Sequence, residues 1–284
     1  MSNDHHSEKT VVASRARPAW LRALGHDDPP EEVTIDGIVY RRLEIFKHDS
    51  WAATARYGDG TDQIICKFNR KQSLLGLPGA WVGRILARRE ADFLSRLADV
   101  PNVPRLLGRV FIDGDEAKNA VARRFIDGHP LGSGARVDDD FFPQLAEALR
   151  AVHRHDVAYV DLHKRENVLV GNDGKPYLID FQVSFGTTSN WLGRSTPVQF
   201  FLRTLQRMDV YHRDKLYRKS RPDLCHLTSA ELAALRPWFV RIHRVFAQPC
   251  RAARRKLLTL IGVRTGRGKV ESEKFVEAGL RRGA

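Results

Sequence analysis

An α+β fold of two unequal lobes is predicted by the order of elements along the 284 residues. Three observations carry that expectation. The first half reads as short strands with one helical stretch among them, and from about Asp138 the pattern turns mostly helical. Inside the helical half lies a tight hairpin with polar residues on both flanks, YVDLHKRENVLVGNDGKPYLIDF over 159–181. The small antiparallel lobe with its helix is expected over 31–124, and the larger, mainly helical lobe over 125–262. The seam falls near Phe125 to Gly128. Residues 1–30, polar and ending in DDPPEE, read as a disordered arm, and 263–284 as a basic tail.

The elements follow in order. VTIDGIVYRRLEIF (33–46), WAATARY (51–57) and QIICKF (63–68) read as strands, with Gly58-Asp59-Gly60 turning the last pair. WVGRILARREADFLSRL (81–97) has helical period, and VPRLLGRVFI and AVARRFI read as two further strands around Gly114. FFPQLAEALRAVH (141–153) and segments near 197–210, 229–247 and 250–261 read as helices.

Composition bounds the function. The chain is 42% apolar and 29% charged, with a mean hydropathy of −0.39, as expected of a globular protein. No apolar run approaches the length of a membrane-spanning helix, and the opening MSNDHHSEKT lacks the apolar core of a secretory signal. Three scattered cysteines, Cys66, Cys225 and Cys250, suit neither a disulfide framework nor a zinc site, which points to a reducing, cytoplasmic setting. The net charge is +13, and residues 236–284 alone hold 13 Lys/Arg against 3 Asp/Glu. Such a balance favours an acidic partner: an anionic lipid surface, a phosphorylated glycan or a nucleic acid.

The hairpin concentrates chemistry. VLV and YLI are strand-like, and Gly171-Asn172-Asp173-Gly174 joins them. A hairpin returns the chain to its starting level, so Asn167 before it and Asp180 after it end up as neighbours, with Asp161 one short loop away. An amide oxygen beside a carboxylate suits a hard cation such as Mg²⁺, completed by water and phosphate oxygens. A further carboxylate could orient a hydroxyl and take its proton. Turn capping explains either residue type singly, but three together fit phosphoryl transfer better. The stretch resembles the catalytic loop and metal-binding segment of the protein kinase-like superfamily: YVDLHKREN stands where those enzymes carry His-Arg-Asp…Asn, and IDF where they carry Asp-Phe-Gly. The resemblance implies a bilobal kinase-like fold, ATP and Mg²⁺ as cofactors, Asp161 as the catalytic acid–base residue, and Asn167 and Asp180 as metal ligands.

It also implies an upstream lysine and glutamate. Lys67 sits in QIICKF, a strand otherwise suited to burial, where a lysine needs a charged partner. Leu86, Glu90, Leu94 and Leu97 fall on one helix face, so Glu90 interrupts an apolar stripe. The two misfits explain each other as an ion pair. By the resemblance, Lys67 would hold the α- and β-phosphates and Glu90 would hold Lys67. The alternative is a lysine that snorkels at a strand end and a glutamate at a lobe interface.

The similarity covers roughly residues 35–210. It implies a hinge in VARRFIDGHPL, with main-chain groups of Arg123 to Phe125 meeting adenine. It implies a phosphate-covering loop in FKHDSWAA, where the backbone from His48 through Ser50 to Trp51 would approach the phosphates and Lys47 or His48 would add charge. His153 and Asp209 would brace the catalytic loop. Four features depart from the pattern. The phosphate loop has no glycine. Asn167 follows Asp161 by six residues rather than five, which brings Glu166 into competition for the metal. Tyr159-Val160 replaces His-Arg. Gln182 follows Asp180-Phe181, and no peptide platform follows. These departures are similar to RIO-type kinases and to bacterial lipopolysaccharide core kinases acting on heptose or 3-deoxy-octulosonic acid.

WFVRIHRVF and RAARRKLLTLI give an apolar stripe with a basic rim, which would either lie on an anionic membrane or pack on the large lobe. No aromatic-interleaved motif supports nucleic-acid binding. The expected activity is therefore transfer of the γ-phosphate of ATP to a hydroxyl acceptor, at the inner face of the cell membrane or in the cytoplasm. The acceptor would be a sugar of an anionic envelope glycolipid, or alternatively a protein Ser/Thr side chain as in RIO-like kinases. A nucleotide-binding pseudokinase scaffold is the reading from another class.

Overall fold

A computed structural model of the chain describes residues 19–73, 79–132, 136–187, 191 and 193–235. The expected basic helices and tail beyond residue 235 lie outside these residues, as does the arm before residue 19. Among the described residues no helix is long and apolar enough to cross a membrane.

Four strands open the fold: β1 (Glu32–Ile35), β2 (Ile38–His48), β3 (Ala52–Gly58) and β4 (Gln63–Asn69). The β1–β2 turn is Asp36-Gly37, with φ of 52° and 82°. Two successive left-handed residues match the twist of a two-residue hairpin, and glycine takes the second at no steric cost. Helix α1 (Gly79–Arg96) follows, then β5 (Phe111–Ile112), β6 (Asp115–Glu116) and β7 (Ala120–Arg124). The seven strands form one antiparallel sheet, ordered β6-β5-β1-β2-β3-β4-β7. Of VPRLLGRVFI only the last two residues are strand, and upstream there is only a single bridge between Leu106 and Arg123. Its proline and glycine interrupt the ladder that its apolar content suggests.

Most residues of the remaining elements are helical. β8 (Gly128–Pro130) leads into α2 (Phe141–Arg154) and β9 (Val157–Ala158). β10 (Val168–Gly171), β11 (Pro176–Leu178), β12 (Phe185–Gly186), α3 (Thr196–Ser220) and α4 (Ser229–Ala234) complete the described chain. α3 runs ten residues past the expected end, because its second half packs on α2 through Leu216 and Tyr217, the latter stacked on Phe142 at 4.5 Å. The predicted hairpin is present as β10–β11, and β8 adds a third strand to it. That strand is three residues long and includes a proline, so no alternation marks it.

Two clusters of buried side chains hold these parts. One covers a face of the seven-stranded sheet through Val33, Ile35, Tyr57, Ile64, Cys66 and Phe68. The other joins Leu94 and Leu97 of α1 to Phe141, Leu145 and Leu149 of α2, to Val168 and Leu178 of the hairpin and to Phe181. Each fully buried Leu or Phe contributes roughly 1.5–3 kcal/mol.

The expectation of a disordered arm reaching residue 30 is corrected over 19–30. Ala23 is fully buried and exchanges backbone hydrogen bonds with Asp49, Lys71 and Gln72. The cause is Arg70, 2% exposed at the exit of β4. Its guanidinium donates to the carbonyls of Trp20, Ser50, Gln72 and Ser73 at 2.6–3.1 Å, tying the segment to the sheet. A buried arginine must find acceptors, and here they are main-chain oxygens.

Candidate active site

The pairing register decides which side chains share a face. Lys47, Thr54, Lys67 and Val121 stand opposite one another across β2, β3, β4 and β7. The adjoining row is His48, Ala53, Phe68 and Ala120, which belongs to the opposite face with the sheet cluster. Lys67 therefore points away from that cluster and toward α1.

α1 comes close because its buried residues Gly79 and Gly83 lack a side chain. A Cβ on Gly83 would lie 2.2 Å from the Arg70 carbonyl oxygen, so only glycine permits this approach. The inward face is Gly83, Ala87, Glu90 and Leu94, with Leu97 beyond the helix end; Leu86, expected on it, is only half-buried. Glu90 Oε2 lies 2.9 Å from Lys67 Nζ, and Asp180 Oδ1 lies 2.8 Å from the same nitrogen. The well-angled hydrogen bond goes to Asp180, so Glu90 Oε2 is held mainly by charge. Burial works against the charged lysine, but the carboxylates of Asp180 and Glu90 override it and raise its pKa. Burial raises Glu90, with Lys67 opposing. For Asp180, burial is outweighed by Lys67, Lys164 and Lys47, which bring it down to about 2. The Asp180 side chain is 35% exposed, so its charge reaches open space.

The hairpin carries out the juxtaposition expected of it. Ile179 N–H donates to the Asn167 carbonyl at 3.0 Å, extending the β10–β11 ladder by one bond and setting Asp180 beside Asn167. Buried Tyr159 reinforces this by donating its hydroxyl to the Ile179 carbonyl, with the Asn167 carbonyl at 3.2 Å, while its ring packs edge-on against Phe181. Asp161 is 4% exposed. Its Oδ2 accepts from Lys164 Nζ at 2.6 Å and from Asn167 Nδ2 at 2.9 Å, and His163 Nδ1 lies 3.3 Å from Oδ1. With the Asn167 amide nitrogen committed to Asp161, the oxygen is what that side chain offers a cation.

Beneath the loop, Asp209 of α3 accepts from the N–H groups of Tyr159 and Val160, both at 2.7 Å, and contacts His153 Nε2 at 3.1 Å. Burial raises its pKa despite these donors. Val160 and Asp180 both have left-handed φ, 69° and 64°. For a β-branched valine this is a strained conformation, of the kind retained where surrounding contacts impose it.

Other expected residues are placed differently. His48 is turned away from Lys67 by its strand parity. Its ring meets two donors, the Arg22 guanidinium at Nδ1 (2.7 Å) and the Leu24 N–H at Nε2 (3.3 Å). Burial and Arg22 lower its pKa, so it adds no positive charge to a phosphate loop. Lys47 faces the Lys67 side, where its Nζ pairs with Asp49 Oδ2 at 2.7 Å. The Ser50 carbonyl accepts from Arg70. Asp49 Oδ1 accepts from the N–H groups of Trp51 and Ala52 at 2.6 and 2.9 Å, so the loop donates inward to its own carboxylate. At the expected hinge, two of the main-chain N–H groups are already engaged. Arg124 N–H donates to Arg105 and Phe125 N–H to Gln63, which leaves neither free for a base. Arg123 is 6% exposed on the Lys67 face, and its charge reaches Glu90. The Phe125 ring lies under Arg56 at 5.3 Å.

Two participants escaped the sequence reading. Lys164 lies in the run HKRE, where one cation among several has no contrast to mark it. Asp49 carried a signal, since an aspartate three residues before a strand is suited to an Asx turn.

The donor set fits a small hard cation. Among the described residues no group of three or more His, Cys, Asp or Glu forms a metal cluster. One ionised, partly exposed carboxylate and one amide oxygen are what Mg²⁺ uses when phosphate oxygens and water complete its shell.

No family model matches the chain, and no curated protein does. Among solved structures it is similar to the Rio2 kinase–ADP/Mg²⁺–phosphoaspartate complex from Chaetomium thermophilum, with a TM-score of 0.46 and 14% identity. The match covers 68% of this chain and 61% of that chain.

Proposed function

We propose that the chain is an ATP- and Mg²⁺-dependent phosphotransferase acting on a hydroxyl acceptor. The observation that carries this is Lys67, a buried ammonium shared between Glu90 and Asp180, facing a loop in which Asp161 and Asn167 bind each other. An ion pair alone would need one acid. The second, partly exposed and ionised, suits a cation site beside the lysine.

In the proposed reaction Lys67 binds and orients the nonreacting phosphates, held in place by Glu90. Asp161 accepts a hydrogen bond from the acceptor hydroxyl and takes its proton as the acceptor oxygen bonds to the γ-phosphorus. The bond from that phosphorus to the β,γ-bridging oxygen breaks, and ADP leaves with the electron pair. Lys164, on Asp161 Oδ2, lies where it can offset charge on the transferring group. Asn167 and Asp180 would hold Mg²⁺, which supplies positive charge against the phosphate oxygens. Most of the catalysis is then positioning and charge neutralisation.

The acceptor we favour is a sugar hydroxyl of an anionic glycolipid, because the sequence lacks a peptide platform after Asp180. Incubation with γ-labelled ATP and either extracted lipopolysaccharide or a protein lysate distinguishes this from a RIO-like protein kinase. Asp161→Asn should abolish labelling while ATP still binds; labelling that survives the substitution would remove Asp161 from this role. A pseudokinase scaffold is favoured by one observation, the phosphate loop closed on Asp49. ATP binding without transfer to any acceptor would support it.

A further inference from the structure

Away from Lys67, a cavity of about 430 Å³ opens among the loop that follows β8, the catalytic loop and the end of α3. Four cations line it: Arg136, Arg165, Lys219 and Arg221. We infer that this cavity binds the acidic group, phosphate or carboxylate, of a small hydroxyl-bearing acceptor, an assignment that rests on the phosphotransfer reading above.

The cations are not alike. Arg221 is a fixed post: it donates to the Val137 carbonyl at 2.8 Å and to Asp139 and Asp223 at 2.6 and 2.8 Å, so two carboxylates offset its charge. Arg136, Arg165 and Lys219 have no ion pair or side-chain hydrogen bond with another described residue. Lys219 has a local reason to be where it is, since a cation in the last turn of a helix is favoured by the dipole. That reason does not extend to Arg136 or Arg165, which come from two other segments. Uncompensated cations converging on one concavity repel one another, and an anion between them removes the repulsion. The volume falls in the range of small-ligand sites.

Position identifies which substrate the anion belongs to. The cavity shares no lining residue with the Lys67, Glu90 and Asp180 group. Arg165 is four residues from Asp161, and a fully extended chain of that length spans at most about 14 Å. The loop is tighter than that, because Lys164 N–H bonds back to the Asp161 carbonyl and Asn167 N–H to the Lys164 carbonyl. An acceptor whose hydroxyl meets Asp161 can therefore rest its acidic group in the cavity. A sugar acid or sugar phosphate has this layout, whether free or as the headgroup of a lipid.

The test uses the full chain with inorganic phosphate as the probe, titrated calorimetrically at fixed ionic strength. Wild type should bind phosphate, Arg165→Gln or Lys219→Gln should weaken binding about tenfold, and Lys118→Gln, an equal loss of charge elsewhere, should leave it unchanged. Melting temperatures of the variants should match wild type, since neither side chain bonds to the fold. Absence of phosphate binding in wild type, or equal weakening by Lys118→Gln, overturns the site. In transfer assays the same two variants should raise the KM for an anionic sugar about tenfold and leave the KM for ATP unchanged. Running the acceptor free or lipid-linked in vesicles tells the two sources apart. Phosphate binding that these variants abolish, in a protein that transfers to no acceptor, would keep the anion site and overturn its acceptor role; a changed KM for ATP would overturn the role as well.

Discussion

Asp209 holds Val160 in a left-handed conformation: the Val160 N–H donates to Asp209 Oδ1 at 2.7 Å while its φ stands at 69°. The strain lies one residue before Asp161, and its cause lies in a fully buried helix residue. Asp209→Ala removes both main-chain acceptors and leaves His153 without its partner, for a loss of roughly 3–5 kcal/mol. Val160→Gly relieves the strain, so it should cost less than a valine-to-glycine change normally does or stabilise the fold. Urea unfolding of the two variants checks both, and Asp209→Ala costing under 1 kcal/mol would show that the loop holds itself.

Lys67, Glu90 and Asp180 should behave as one electrostatic unit. Lys67→Met leaves two acids in a poorly solvated place and should cost about 3 kcal/mol or more. Glu90→Leu alone leaves Lys67 its hydrogen bond to Asp180 and should cost less. In the double variant the losses should fall short of their sum by about 1–3 kcal/mol, the coupling expected of contacting charges. A double-mutant cycle by chemical denaturation measures it, and additive losses would mean that the pair contributes no coupling.

The residues that were legible before folding were those that broke a pattern. Lys67 interrupts an apolar strand and Glu90 an apolar helix face, and the structure places them 2.9 Å apart. The Gly-Asn-Asp-Gly turn allowed Asn167 and Asp180 to be placed together, because a hairpin's ends must meet. His48 was misassigned for a reason no pattern shows. The β2–β3 register shifts between Ile45 and Lys47, so Ile45 faces the sheet cluster while Lys47, two residues on, faces Lys67. A bulge inverts the parity by which faces are read, and nothing in EIFKHDS marks it. At the expected hinge the Arg124 N–H is taken because segment 105–107, though it forms no regular strand, bonds to the outer edge of β7. Arg70 was invisible for the same reason as Lys164: one arginine of many, defined only by the carbonyls that gather round it.

His212 sets a pH dependence. Burial first, then the charges of His163 and Lys215, bring its pKa down to about 4, and its ring lies 5.7 Å from that of His163 in the loop before β10. Unfolded, the group titrates near 6.5. The unfolded chain therefore binds a proton that the native state does not, and stability falls as pH drops from about 6.5 to about 4, by at most about 3 kcal/mol. Above 6.5 this contribution is flat. Replacing His212 by Asn should reduce the difference in unfolding free energy between pH 7 and pH 4.5 by 1–3 kcal/mol, with the higher-pH value changing least. Equal differences in the two proteins would show that His212 titrates alike folded and unfolded.

The loop between β2 and β3 makes the last prediction. The Asp49 carboxylate accepts from two successive N–H groups and pairs with Lys47. Burial opposes this charge, but Lys47 and the Trp51 and Ala52 amides hold the carboxyl below its usual range. Successive amides aimed at one point form an anion site, and here the anion is supplied by the chain. A nucleotide must displace Asp49 or bind without this loop. Asp49→Asn keeps an acceptor for the turn, removes the competing charge and releases Lys47, so nucleotide affinity should rise about three- to tenfold, roughly 0.6–1.4 kcal/mol. Fluorescent-nucleotide titration measures it. Unchanged affinity would mean that the loop stands clear of the phosphates; weaker affinity would mean that Asp49 shapes the loop for binding. The first of those outcomes removes the obstacle to the proposed phosphotransfer that the closed loop suggests, because a loop clear of the phosphates leaves Lys67 and Asp161 in place.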